Sequence, residues 1–369
     1  MFEKYNLKEN PFRIVPSLSK DIIWAGFPKT KKKFEIRIKK SLRIPNSSIV
    51  LNWGEYGSGK THAARYFSKE SVIKDISDSV ERKMPLSLII NLPKGKNPVW
   101  DLYTQILDKL RFNEIHEKLI EVKGVDEAIN NITDNEFIKK VLNAFYQAYE
   151  VGTVEHYSVD DFVNYLYEGT SKQRERVGLP RSISTDNDCV DFLSAFFSLL
   201  TYEGNETYSC VIIWIDEFED IAMQNAASVT NINSFIRGLL DKAPSNLLMF
   251  INFTRSAFAD MSDLSTYLQE AVKSRVKERI EFPLPKAEEF KEYLSDLLSA
   301  YRIENTDDKY FPFKEDMIDM LIIEQGAVSI RRFNEALSLL LETADIEGED
   351  AIGIELYKAN KSDLIGWKD

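Results

Sequence analysis

Eight consecutive residues, Gly54-Glu55-Tyr56-Gly57-Ser58-Gly59-Lys60-Thr61, fit the pattern G-x-x-x-x-G-K-[ST]. Glycines in such a loop let backbone N–H groups converge on phosphate oxygens without Cβ obstruction. Lys60 then supplies charge to the β- and γ-phosphates, and the Thr61 hydroxyl is a ligand for Mg²⁺. The octet follows an apolar run and precedes the helical segment "THAARYF", so a helix N-terminus adds its own partial positive charge. His62, the next residue, is counted with these binding contacts. A second acidic constellation closes the run "VIIWIDEFED". There Asp216 is placed to hold the Mg²⁺ shell through water, and Glu217 to polarise an attacking water. ATP and Mg²⁺ are the implied cofactors, and the implied reaction converts ATP and water to ADP and phosphate.

The elements that must carry these residues can be read from periodicity. Five short apolar runs stand out: Ser48–Trp53, Leu86–Leu92, Cys210–Asp216, Leu247–Phe253 and Arg279–Phe282. They are β-branched and nearly continuous in apolar character, as strands buried on both faces of a parallel sheet are. Helical stretches between them imply right-handed crossovers. The expected fold is therefore an α/β sandwich of about five parallel strands. After Pro285 the pattern becomes helical, with three amphipathic segments and Gly326 set to end the second. More than a hundred residues separate the second and third runs, where about a dozen suffice for a crossover. "NPVWDLYTQILDKL" and "NDCVDFLSAFFSLL" are the expected sheet-packing helices there, and residues 114–183 a helical insertion. This divides the chain into an N-terminal segment (1–45), a nucleotide-binding domain (46–284), a helical lid (285–346) and a short acidic tail (347–369).

Composition narrows the remaining classes. The 369 residues are 44% hydrophobic and 29% charged, ordinary for a soluble globular chain. Cys189 and Cys210 lack metal-ligand or disulfide spacing, and three scattered histidines offer no metal cluster. No run approaches the ~20 apolar residues that span a bilayer, and the N-terminus lacks a signal-peptide pattern. A cytoplasmic protein without a membrane partner is expected. The net charge of −12 disfavours indiscriminate coating of DNA, while leaving room for a local basic surface.

With these motifs in hand, the chain resembles the AAA+ ATPases. The similarity is greatest to the branch holding origin-recognition-type initiators, ExeA-like proteins and the transposition ATPases TniB and TnsC. It covers residues 6–112 and 186–345 and implies an AAA+ three-layer sandwich with a small all-helical lid. The opening "NLKENPF", Asn6 to Phe12, resembles the segment that covers adenine in ExeA-like members, which makes Pro11 and Phe12 candidate nucleotide contacts. The fourth run ends in "INFTRS", where the resemblance implies a γ-phosphate sensor, Thr254 or Asn252. "EAVKSRVKERIEF" implies an arginine finger for a neighbour's ATP at Arg275, with Arg279 and Arg255 in reserve. "GAVSIRRFNEAL" implies a lid sensor at Arg331 or Arg332. Two features depart from the initiators: no winged-helix segment follows the lid, and the insertion is larger.

The resemblance implies a homo-oligomeric switch that assembles head to tail on ATP. Its partners would be double-stranded DNA and a protein effector, in a mobile-element or phage-defence system. The alternative is a regulatory module that grips a protein partner without DNA. A processive helicase or unfoldase is a weaker third, since no pore loop or second ATPase domain is recognisable. Three further segments bear on that choice. "KTKKKFEIRIKKSLR", Lys29 to Arg43, predicts an amphipathic helix burying Phe34, Ile38 and Leu42, with its cations in solvent or on a partner. The basic loop "KQRERVGLPR" offers the same two options. In the insertion, Phe145/Tyr149 and Phe162/Tyr165 fall at helical spacings and predict a small local core, with any exposed aromatics forming a partner surface.

Overall fold

A computed structural model describes residues 2–12, 22–153, 155–204, 206–254, 267–326 and 328–365. Five strands form one all-parallel sheet: β1 (Ser48–Gly54), β2 (Leu86–Asn91), β3 (Val211–Asp216), β4 (Leu247–Thr254) and β5 (Val276–Phe282), in the order β2-β3-β4-β1-β5. Alternate side chains separate cleanly. Val50, Ile212, Trp214, Leu248, Phe250 and Ile280 face one side, where they meet α1 (Pro28–Arg43), α2 (Lys60–Phe67) and α3 (Glu70–Asp78). Ile49, Leu51, Ile213, Ile215, Met249 and Ile251 face the other. That side is covered by α4 (Pro98–Lys109), α10 (Asp186–Leu200) and α11 (Ala226–Lys242). Burial on both faces is why β1, β3 and β4 carry no polar alternation, whereas edge strand β5 exposes Arg279 and Glu281 beside buried Ile280 and Phe282.

Helix α1 forms as its periodicity predicts: Pro28 sits in the first turn, and Phe34, Ile38 and Leu42 are buried. Phe34 packs against Trp214 and Phe250, which are themselves stacked with centroids 3.9 Å apart.

The insertion consists of α5 (Phe112–Ile120), α6 (Val125–Ile132), α7 (Glu136–Tyr146), α8 (Val159–Glu168) and α9 (Ser171–Arg176). Its core is not separate, as the aromatic spacings suggested. Phe145 packs on Phe112 and on Phe196 of α10, so insertion and sheet layer share one apolar cluster. Phe162 and Tyr165 are buried in it, while Tyr149 is half exposed and stacks on His156. The segment "KQRERVGLPR" is also more structured than a loop. Arg176 bonds Asp161 and the carbonyls of Thr153 and His156. Arg181 makes a bidentate pair with Asp188 and stacks on Phe137. Both arginines fasten the insertion to itself and to α10, and each is paired with a carboxylate.

The lid contains α12 (Ala287–Tyr301), α13 (Glu315–Gln325) and α14 (Ile330–Glu347), with Gly326 in a left-handed φ of 68° just past α13. Two segments outside the expected limits join it. Tyr5, Leu7 and Phe12 are buried in its core, and the Tyr5 hydroxyl donates to the Glu349 carbonyl at 2.8 Å. The expected acidic tail folds back instead. Ile352 pairs with Phe313, and α15 (Ile354–Ala359) inserts Tyr357, whose hydroxyl donates to Glu324 at 2.7 Å. The tail was illegible because its two anchors, Ile352 and Tyr357, are too few to make a period.

Because Tyr357 is buried, Tyr357→Ala should lower unfolding stability by about 3 kcal/mol. Tyr357→Phe removes only the hydroxyl and should cost about 1 kcal/mol. Chemical denaturation followed by fluorescence measures both; two wild-type curves would show that residues beyond 347 are dispensable.

Candidate nucleotide-binding site

The strand ends create the site. Register pairs Gly54 with Thr254 and Asn52 with Asn252, while β3 ends alongside at Asp216. A chain of buried amides ties the three strands: Asn52 Nδ2 donates to Asn252 Oδ1 at 2.7 Å, and Asn252 Nδ2 donates to Asp216 Oδ1 at 2.9 Å. This holds one oxygen of Asp216 and leaves the other directed by the same constraint. Asp216, Thr61, Lys60, Glu217, Thr254 and Arg331 line one cavity of about 250 Å³ between the sheet and the lid.

Close packing explains the first glycine. A Cβ on Gly54 would lie 2.6 Å from the Phe282 Cβ. Gly57 and Gly59 adopt left-handed φ of 75° and 101°, a region open to glycine. With this turn, α2 begins at Lys60. The Lys60 ammonium donates to the carbonyls of Gly54 and Glu55 at 2.8 and 2.9 Å. Burial lowers its pKa to about 8 despite the nearby Glu219 and Asp216 carboxylates. A cation so disfavoured by desolvation is a cation that an anion would stabilise.

Glu217 is the N-cap of a short 3₁₀ helix, Phe218–Met223, and has a left-handed φ of 53°. A non-glycine residue rarely sits there, and Glu217, although exposed, is among the residues that line the cavity. Partial burial and the neighbouring Asp216 charge push its pKa up, which suits a group that must accept a proton. The sequence reading missed Glu219. It lies one 3₁₀ turn beyond Asp216, so its side chain returns to the same side. It accepts a hydrogen bond from the Thr254 hydroxyl, and its Oε2 is buried with no partner among the described residues. A second acid three residues after Asp216 was the available signal. Between the two sensor candidates, Thr254 lines the cavity and Asn252 lies beneath it, against Asp216. Hard oxygen donors at Thr61 and Asp216 face the same space, which fits Mg²⁺.

The apolar half of the cavity comes from Pro11, residues 22–25, Phe27, Tyr293 and Leu297. His62 serves this wall: its Nε2–H donates to the Ile23 carbonyl at 2.7 Å, and Trp24 packs beside its ring. Burial lowers the His62 pKa, keeping the ring neutral. Phe12 lies elsewhere, in the lid core against Phe313 with centroids 5.5 Å apart. Pro11 alone of that pair lines the cavity.

Of the lid arginines, Arg331 reaches the cavity while Arg332 is exposed beside it. Arg275 precedes β5 at the opposite end of the sheet, where its carbonyl accepts from Ile49. Its guanidinium is held by Asp241 and the Ala271 carbonyl. Arg279 pairs with Glu281 on β5. Neither can reach the cavity of its own chain, and Arg255 lies outside the described residues.

No protein-family model matches the chain, and no curated protein matches it. Solved structures do. The ORC2 protein of Aeropyrum pernix, in ADPNP and ADP complexes, superposes with a TM-score of 0.56 at 13% identity, over 97% of this chain and 72% of that one. The Aeropyrum pernix ORC1 protein in complex with DNA gives 0.52 at 14% identity, over 97% and 70%. Drosophila ORC bound to DNA gives 0.52 at 12% identity, over 96% and 64%. At such identities the likeness establishes the fold alone: an α/β P-loop architecture with helical additions, shared with these ORC structures.

A phosphate bound at Lys60 should restore its proton. Since the free ammonium has a pKa of about 8, ATP binding should take up protons increasingly between pH 7 and 9, and affinity should fall as pH rises. Isothermal titration in buffers of different ionisation enthalpy measures the uptake. A constant value across that range would mean that Lys60 does not meet the phosphates.

Proposed function

We propose that this chain is an ATP-binding and ATP-hydrolysing switch whose ATP state controls self-assembly and engagement of a partner on duplex DNA. The observation that carries the reading is the convergence, in one cavity, of Lys60, Thr61, Asp216, Glu217 and Thr254 from the sheet domain with Arg331 from the lid. Lys60 and the loop amides bind phosphates; Thr61 and Asp216 hold Mg²⁺, which when bound neutralises charge on the β- and γ-phosphates. Glu217 orients water and takes its proton. Thr254 and Arg331 contact the terminal phosphate, so hydrolysis changes how the lid sits on the sheet. Arg275, out of reach of its own site, acts on a neighbouring copy after leaving Asp241.

The DNA part rests on α1. Lys29, Lys32, Lys33, Lys40 and Arg43 are exposed along one side of this helix, and none pairs with a carboxylate among the described residues. In a chain of net charge −12, that is a concentrated cationic strip. The ORC1 and Drosophila ORC structures of this fold are DNA complexes. We place the setting in a mobile-element or phage-defence system from the N-terminal resemblance to ExeA-like and TniB/TnsC proteins, with a protein effector downstream. The exposed Tyr149 and Val151 of the insertion favour, as a second reading, a protein client without DNA.

Glu217→Gln should trap the ATP state and bind a labelled duplex tightly with ATP, weakly with ADP, and less well at higher salt. Adding Lys32→Glu, Lys33→Glu and Lys40→Glu should flatten the salt dependence by about three counterions. Fluorescence anisotropy reads both. Absence of binding in either nucleotide state transfers the function to a protein client.

A further inference from the structure

Tyr56 is the second variable residue of the phosphate-binding loop, and 62% of it is exposed. Its ring meets a charged group: the Arg331 guanidinium lies 4.4 Å from the ring centroid. The backbone beside it is engaged as well. Arg331 N–H donates to the Gly57 carbonyl at 3.3 Å, and a Cβ on Gly57 would lie 2.7 Å from the Arg331 Cβ. Helix α14 therefore begins directly on the loop, with Ser329 capping it through the Arg332 N–H.

This arrangement places two cations at one cavity. Arg331 is close enough to Lys60 for its charge to oppose the ammonium, and the adjoining N-termini of α2 and α14 add positive potential. A flexible guanidinium facing such a site without an anion would swing into solvent unless something held it. The face of an aromatic ring is the available counterweight.

We propose that Tyr56 is a positioning residue that holds Arg331 over the phosphate loop and thereby makes the lid discriminate a nucleoside triphosphate from a diphosphate. This rests on the reading of Arg331 as a terminal-phosphate contact. With the guanidinium already placed, the terminal phosphate gains the contact without first ordering the side chain. A diphosphate does not reach it and gains nothing.

Isothermal titration with Mg·ATPγS and Mg·ADP tests the assignment. Tyr56→Ala should weaken ATPγS about twofold to fivefold more than it weakens ADP. Tyr56→Phe keeps the ring face and should restore ATPγS affinity. In an Arg331→Ala background, Tyr56→Ala should add no further loss. Equal weakening of both nucleotides, failure of Tyr56→Phe to rescue, or an undiminished Tyr56 effect without Arg331 would each overturn the proposal. If the unmodified protein binds neither nucleotide, the ATP reading itself fails, and does so separately.

Discussion

Three strand ends held in register by buried amides set the geometry on which the site depends. Asn52, Asn252 and Asp216 sit toward the carboxyl ends of β1, β4 and β3, linked by two hydrogen bonds among buried residues. A one-residue slip in either pairing would turn every alternate side chain to the other face. It would also move Asp216 away from the loop that starts at Gly54. The apolar layers on both faces resist such a slip, since Trp214, Phe250 and Phe34 are packed against one another. Packing thus fixes register, and register places the carboxylates.

The lid completes what the strands begin. It is anchored to the phosphate loop at Gly57 and to the residues that cross the cavity, where the Gly26 N–H donates to Asp296. A Cβ on Gly26 would lie 3.0 Å from the Tyr293 Cα, so this crossing is a close backbone approach. His62, from the sheet domain, holds the neighbouring Ile23 carbonyl. The covering segment is therefore gripped from both domains. Any rotation of the lid must strain one grip or the other, which gives phosphate chemistry a mechanical route to the rest of the molecule.

Much of this was legible in the residues. Lys60 and Thr61 were readable because a glycine pattern between strand and helix has few other uses. The central strands β1, β3 and β4 were readable because burial on both faces removes most polar residues from them. The stripe on α1 was readable from a period of four. What escaped had no local signature. Phe12 looks like an adenine cover in the motif but is drawn into the lid core by Phe313, some three hundred residues away. Arg176 and Arg181 look like a basic surface until Asp161, Asp188 and Phe137 are brought beside them. Glu219 needed the 3₁₀ turn to be known. Long-range partners cannot be inferred from neighbours in the chain, and each of these residues is defined by one.

The lid core is made from both extremities of the described chain: Tyr5 and Leu7 at one end, Ile352 and Tyr357 at the other. Tyr5 and Glu349 bond across 344 residues. During synthesis, the sheet and insertion can bury their apolar faces as they emerge, but this core is not complete until the chain has passed Tyr357. Residues 2–12 must wait throughout with their aromatics uncovered. The nucleotide cavity, whose apolar wall begins at Pro11, is consequently among the last features to form. A ribosome-bound chain already has its phosphate loop and lacks the surface that would close over a nucleotide. Competence to hold the ligand is thus timed by translation, following the synthesis of the lid that supplies Tyr293, Leu297 and Arg331 to the cavity.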